Sequence, residues 1–239
     1  TAPISPNGFR WVFLPIRLSP DMVANLNMDF AERVVIDTNT LDWVPSRLPG
    51  VERRMLEREH EESGRASSIV RYAPDSQFTA HVHEGGEEFL VLDGVFSDEH
   101  GDFGPGSYIR NPIGSKHRPY SKDGCTIFVK LWQMESGDQT WVRADTHTAD
   151  WHPGLVPGLE VMPLHSYDSE NVALVRWQAG CEFTPHMHPQ GEEILVLDGT
   201  FEDEDGQYPT GTWLRNPPGS RHTPFSAGGC TILVKTGHL

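Results

Sequence analysis

A stretch of 52 residues occurs twice in this chain, 105 residues apart. Residues 79–94 read TAHVHEGGEEFLVLDG and residues 184–199 read TPHMHPQGEEILVLDG. Each is followed at the same distance by a second phrase, GSYIRNPIGSKH ending at His117 and GTWLRNPPGSRH ending at His222. About 30 of the 52 positions are identical between 79–130 and 184–235. Repetition at this period means that one supersecondary plan is built twice. A chain of 239 residues then gives each copy roughly a hundred residues, enough for one hydrophobic core. The two copies also serve as an internal comparison. Val82 faces Met187 and Glu84 faces Pro189, so those positions tolerate change, whereas three histidines and a glutamate persist.

Between the repeats, short runs rich in Val, Ile, Phe, Tyr and Trp alternate with Gly, Pro, Asn and Asp every eight to twelve residues. That pattern predicts an all-β chain of two small antiparallel barrels or jelly rolls. Runs such as FLVL are apolar on both faces. One face is expected to fill its own barrel and the other to pack on a second sheet, most simply the sister unit. The repeat extends upstream to a duplicated DTxTxxW element at Asp37–Trp43 and Asp145–Trp151. We therefore expect an extension over 1–33, a first domain over 34–136 and a second over 137–239, with a linker near 133–138. Within the extension, residues 19–33 have apolar residues at helical spacing behind a Ser or Asp cap, which predicts a short helix.

The net charge of −15 argues against a nucleic-acid surface, which needs a basic face, and against anionic membranes. No apolar run is long enough to span a bilayer. Three cysteines, Cys125, Cys181 and Cys230, are an odd number with no close pairing, which suits a reducing, cytoplasmic setting. Cys125 and Cys230 are repeat-equivalent and read as small buried hydrophobes in strands.

The chemistry lies in the duplicated motifs. His81 and His83 are two apart, so a strand presents both imidazoles on one face. The turn at Gly85–Gly86 lets Glu87 aim at the same point, and His117 arrives from a distant strand. The second copy supplies His186, His188, Glu192 and His222. Three neutral imidazoles and a carboxylate suit a divalent first-row metal and leave one or two coordination positions open. The other six histidines, His60, His100, His147, His152, His165 and His238, lack this register and read as surface or core residues. Glu88 and Glu193 are duplicated with opposite parity, either orienting an imidazole or sitting as strand-edge carboxylates. Arg71/Arg176 and Arg110/Arg215 could hold an anionic ligand or brace a salt bridge between domains. The acidic run at 202–205 reads as a solvated hairpin.

These residues match the two motifs of the cupin superfamily. The first resembles H-x-H-x3-E-x6-G, met by His81, His83, Glu87 and Gly94 and by His186, His188, Glu192 and Gly199. The second resembles G-x5-P-x-G-x2-H, met by Gly106, Pro112, Gly114 and His117 and by Gly211, Pro217, Gly219 and His222. The family usually has an asparagine four residues beyond the last histidine, where this chain has Ser121 and Ser226. The resemblance implies a bicupin: two jelly-roll barrels packed as a pseudo-dimer, each with one divalent ion. Zinc is the first expectation for that ion, with iron, manganese or nickel as alternatives.

The GEE-h-LVLDG wording and DTxTxxW element look most like the cupin domain of ChrR anti-sigma factors, which holds zinc through this ligand set. Such proteins also carry a helical zinc domain with a His-x3-Cys-x2-Cys motif that grips the sigma factor. This chain lacks that motif, which argues against sigma-factor binding. Two functions follow. One is a metal-dependent sensor or regulatory bicupin that binds a small molecule. The other is a non-haem dioxygenase or isomerase acting on a diketone-like substrate. Cupins often pair through their sheets, so a homodimer is a further expectation.

Overall fold

A computed structural model describes residues 25–239. The elements are β-strands and a single 3-10 turn, Thr38–Thr40, with no α-helix among the described residues. No helix there is long and apolar enough to cross a membrane. The helix expected over 19–33 is corrected in its described part. Asn25 and Asn27 adopt positive φ, and Leu26 forms an antiparallel bridge with Arg58. Backbone pairing with a strand edge, Leu26 N–H to Arg58 O at 2.9 Å, overrides the weak helical spacing. Residues 19–24 of that expectation lie outside the described residues.

Each half builds a sheet along the same seven-strand path, and three further short strands join the second. The first runs Val142–Asp145, Ser107–Asn111, Glu87–Gly94, Cys125–Leu131, Ala66–Tyr72, Val51–Arg58, Val44–Pro45. The second runs Val34–Asp37, Thr212–Asn216, Glu192–Asp203, Cys230–Thr236, Glu170–Trp177, Leu159–Tyr167, His152–Pro153. The outermost strands are exchanged. Val34–Asp37 pairs with Thr212–Asn216, and Val142–Asp145 pairs with Ser107–Asn111.

The DTxTxxW element is the latch of this exchange. Asp37 and Asp145 accept from the amides of Asn39 and His147, closing a turn. Thr38 and Thr146 then donate backbone and hydroxyl hydrogens to the carbonyls of Gly211 and Gly106. Gly106 and Gly211 must be glycine, since both have positive φ and a Cβ would meet His147 or Asn39 side-chain atoms at 2.8 or 2.2 Å.

The two-faced strands behave as their pattern predicts. Phe89 and Val91 fill the first barrel with Ile109 and Ile127, while Leu90 joins a core shared with the other half. That shared core includes Leu56, Ile69, Phe128, Leu174, Leu195 and Trp213. The second barrel is filled by Trp177, Ile194, Val196, Phe201 and Ile232.

Charge lies on the same inter-sheet faces as these apolar residues and is reciprocal. Lys235 meets Glu88, and Lys130 meets Glu193. Arg110 binds Glu88, Asp138 and Glu170 at 2.6–2.8 Å, and Arg215 binds Glu57 at 2.7 Å. The duplicated Glu88 and Glu193 therefore neither orient a motif imidazole nor sit as strand-edge carboxylates. They are buried inter-domain ion-pair partners, and Arg110 and Arg215 brace the same interface. Burial alone would raise the Glu88 carboxyl, but Lys235, Arg110 and Lys130 outweigh it and hold the group ionised. Arg71 and Arg176 instead lie over the latch tryptophans, 4.2 Å from the Trp43 ring centre and 3.9 Å from that of Trp151.

Candidate metal centres

In the first half, the short strand His81–Val82 pairs with Lys116–His117, bringing His117 opposite His81. The chain then turns at Gly86, whose amide donates to the His83 carbonyl, and Gly114 donates to the same oxygen. One carbonyl thus ties the turn after the first motif to the turn of the second. The ligating atoms of His81, His83 and His117 all lie within 4.8 Å of one another. His83 Nε2 is 2.9 Å from His117 Nε2, and Glu87 Oε2 lies 3.4 Å from the first and 3.6 Å from the second.

The second half repeats this arrangement. His186–His188 pairs with Ser220–His222, and His186, His188 and His222 again gather within 4.8 Å. His188 Nε2 is 3.1 Å from His222 Nε2, with Glu192 oxygens at 3.4 and 3.6 Å.

The fit to a cation can be tested on the hydrogen bonds behind the rings. His81 Nδ1 faces the Thr79 carbonyl at 3.1 Å, and His186 Nδ1 faces Thr184 at 2.9 Å. His117 Nδ1 faces Asp98 Oδ2 at 3.1 Å. These partners only accept, so they place the proton on Nδ1 and turn a lone pair on Nε2 toward the common centre. Several acceptors converging with a carboxylate is an arrangement a divalent cation resolves.

Burial, helped by His117 and His81, lowers the His83 imidazole and keeps it neutral despite Glu87. Burial with His222 and His186 pushes His188 down to about 3. Burial opposes protonation of His117 as well, but the Asp98 hydrogen bond and the charges of Glu87 and Asp98 hold it above its ordinary value.

A further layer went unread in the sequence. Asn111 Nδ2 donates to Glu87 at 2.9 Å and accepts through Oδ1 from Arg143. Asn216 likewise holds Glu192 at 3.0 Å and accepts from Arg33. Asp98 and Asp203 stand behind His117 and His222. All four residues are duplicated, in RNP and F-x-D-E, which was the available signal. The run at 202–205 is corrected accordingly: Glu202 and Asp203 are buried, and Asp203 is part of the site. Ser121 and Ser226, at the usual asparagine position, point away. Their hydroxyls donate to the Val95 and Thr200 carbonyls. Cys125 and Cys230 are buried strand residues, their thiols pushed up to about 11 chiefly by burial.

The first site opens into a cavity of about 380 Å³ inside its own barrel, lined among others by Arg53, Arg58, Ser68, Tyr72, His81 and His83. Burial and the Glu87 charge keep the Tyr72 phenol protonated.

Comparison with solved structures places the chain in a known architecture. A candidate dioxygenase from Nostoc punctiforme superposes with a TM-score of 0.74 at 16% identity, covering 87% of this chain and 84% of that one. A cupin 2 conserved barrel domain protein from Leptotrichia buccalis gives 0.59 at 12% identity, covering 85% and 96%. Bacillus subtilis oxalate decarboxylase, in a study of its Mn(II) centres, gives 0.55 at 14% identity, covering 85% and 76%. At such identities the likeness shows the fold. Among curated protein sequences none matches significantly. The profile of the ChrR cupin-like domain matches twice, over residues 31–135 and 139–239. Two matches that together span most of the chain show that it belongs to the ChrR cupin-like family, as a bicupin.

Proposed function

We propose that each half holds one divalent first-row ion, through His81, His83, Glu87 and His117 and through His186, His188, Glu192 and His222. Zinc is the first choice. On this reading the protein is a metal-dependent small-molecule sensor or regulatory bicupin, and the ligand enters the first barrel. The observation that carries this is the cavity of about 380 Å³ that runs onto His81, His83 and Glu87. Its size is that of a small-molecule site.

The ion would supply Lewis acidity at the cavity floor. The protein's own groups do the rest. Asp98 fixes the orientation of His117, and Asn111 fixes Glu87. Tyr72 offers a phenol that stays a donor, and Val70 and Phe78 line a wall that limits water. Three unpaired buried thiols fit a reducing compartment, and we assign the protein to the cytoplasm.

The same cavity also supports a second reading, a non-haem dioxygenase or isomerase, because open coordination positions facing a small-molecule space are what such chemistry needs. Elemental analysis of protein isolated without chelator or affinity resin separates the outcomes. Two equivalents of zinc, with no oxygen uptake on a β-diketone, fit the sensor. Iron with oxygen uptake fits the enzyme. No first-row metal above background, even after reconstitution, overturns both.

A further inference from the structure

We infer that the first-half cavity is built for a small carboxylate, with the Arg58 guanidinium as the anchor for its charged end. This rests on the reading above, that the same cavity ends at a metal.

Three arginines are almost fully enclosed: Arg58 at 4% exposure, and Arg110 and Arg215 at 0%. Two of them are neutralised. Arg110 has three carboxylates, and Arg215 has Glu57. Arg58 pairs with no carboxylate among the described residues. Its hydrogen bonds go to the backbone carbonyls of Glu61 at 3.0 Å and His60 at 3.5 Å, and to Ser68 Oγ at 3.5 Å. Its Nε has no partner. The nearby carboxylate of Glu62 is already held on both oxygens by Arg53, at 2.9 and 3.0 Å. Burial and the repulsion from Arg53, only partly offset by the charge of Glu62, bring the Arg58 guanidinium down to about 10. An enclosed cation whose neighbour is another cation is costly unless an anion completes it.

The backbone aims this charge. Strand Val51–Arg58 has a register shift between Met55 and Glu57. Beyond the shift, Glu57 turns to the inter-domain pair with Arg215, and Arg58 lines the cavity. A bulge that re-aims one side chain beside a site is a common device. On the neighbouring strand, Ser68, Val70 and Tyr72 alternate onto the same cavity wall.

The second half is the control. Strand pairing makes Val51–Tyr72 equivalent to Leu159–Trp177, which places Val161 at Arg53, Ser166 at Arg58, Ala173 at Ser68 and Trp177 at Tyr72. The donor sets are the same, but the enclosed Arg58, beside the Arg53–Glu62 pair, exists in one half only. Selection for metal binding alone would not separate the halves in this way. A guanidinium fork matches a carboxylate, and further oxygens on the same small acid would face the metal.

Acetoacetate and acetylacetone test this, being oxygen chelators of similar size of which one carries a carboxylate. Calorimetric titration of the metal-loaded full chain should show acetoacetate binding at least about tenfold tighter. Arg58→Gln should abolish the preference at unchanged metal content, and Arg58→Lys should retain part of it. Equal affinities in the wild type, or a preference that survives Arg58→Gln, overturn the proposal while leaving the metal reading intact. Loss of metal from the wild type would instead sink the reading beneath it. If Arg58→Gln does not fold, crystals of the wild type soaked in acetoacetate decide. The carboxylate should lie within hydrogen-bond distance of Arg58, and any other placement, or none, overturns the assignment.

Discussion

The two barrels carry the same donors at nearly the same distances, yet they differ in what surrounds them. In the first, Asp98 accepts from the His117 ring at 3.1 Å and from the His100 amide, with no lysine or arginine paired to it among the described residues. In the second, Asp203 is engaged by Tyr208 at 2.7 Å and by Arg33 at 2.8 Å, and its approach to His222 lengthens to 3.7 Å. The first barrel has a cavity with two arginines and a tyrosine, whereas the second has Trp177 in the corresponding place within its core. Duplication has kept the ligands and let the walls diverge. The lesson is that duplication can hold a donor set constant while the walls that face it change.

The largest test of this division is removal of ligands in one half at a time. His81→Ala with His83→Ala should reduce bound metal from two equivalents to one and abolish binding of acetoacetate. His186→Ala with His188→Ala should remove the other equivalent and leave that binding in place. Equal loss of ligand binding in both variants, read by elemental analysis and calorimetry, would mean that the halves are not functionally distinct.

Next in size is the interface between the halves. Lys130 and Lys235 are enclosed and each meets the glutamate of the opposite half. Lys130→Met leaves Glu193 with no lysine or arginine partner among the described residues and should cost about 3–5 kcal/mol, whereas Lys235→Met leaves Glu88 paired with Arg110 and should cost less. Denaturant unfolding would measure both, and equal losses would show that Arg110 does not compensate Glu88.

A smaller difference is expected behind the rings. Asp98→Asn should weaken metal binding in the first half by about 10- to 100-fold, measured by competition with a chelating dye. Asp203→Asn should do less to the second site, because Asp203 is already shared with Arg33 and Tyr208.

The last test concerns pH in metal-free protein. His188 is held near 3 when folded, against an ordinary 6.5. Between those values the unfolded chain binds the extra proton, so stability rises with pH across this window and the benefit is complete above about 6.5. His188→Gln should flatten that limb of the stability curve.

Much of this was legible in the chain itself. Repetition showed two units, the spacing of apolar residues showed strands with two buried faces, and register picked six histidines out of twelve. Asp98 and Asn111 escaped because a duplicated Asp or Asn in a turn-rich chain has many ordinary uses. Glu88 and Glu193 were misread because a charged residue on a strand's alternate face is normally solvated, and here a second sheet covers it. The helical spacing over 19–33 yielded, in its described part, to a bridge with a strand edge.

The sequence alone determined the fold, the duplication and the candidate donor sets, because those depend on local periodicity and on residue types that recur at fixed offsets. Only the tertiary structure decided the exchange of Val34–Asp37 with Val142–Asp145, the reciprocal ion pairs and the unneutralised Arg58. Those features arise where strands distant in the chain are pressed together, and the cost or gain of a buried charge depends on neighbours that no local window contains.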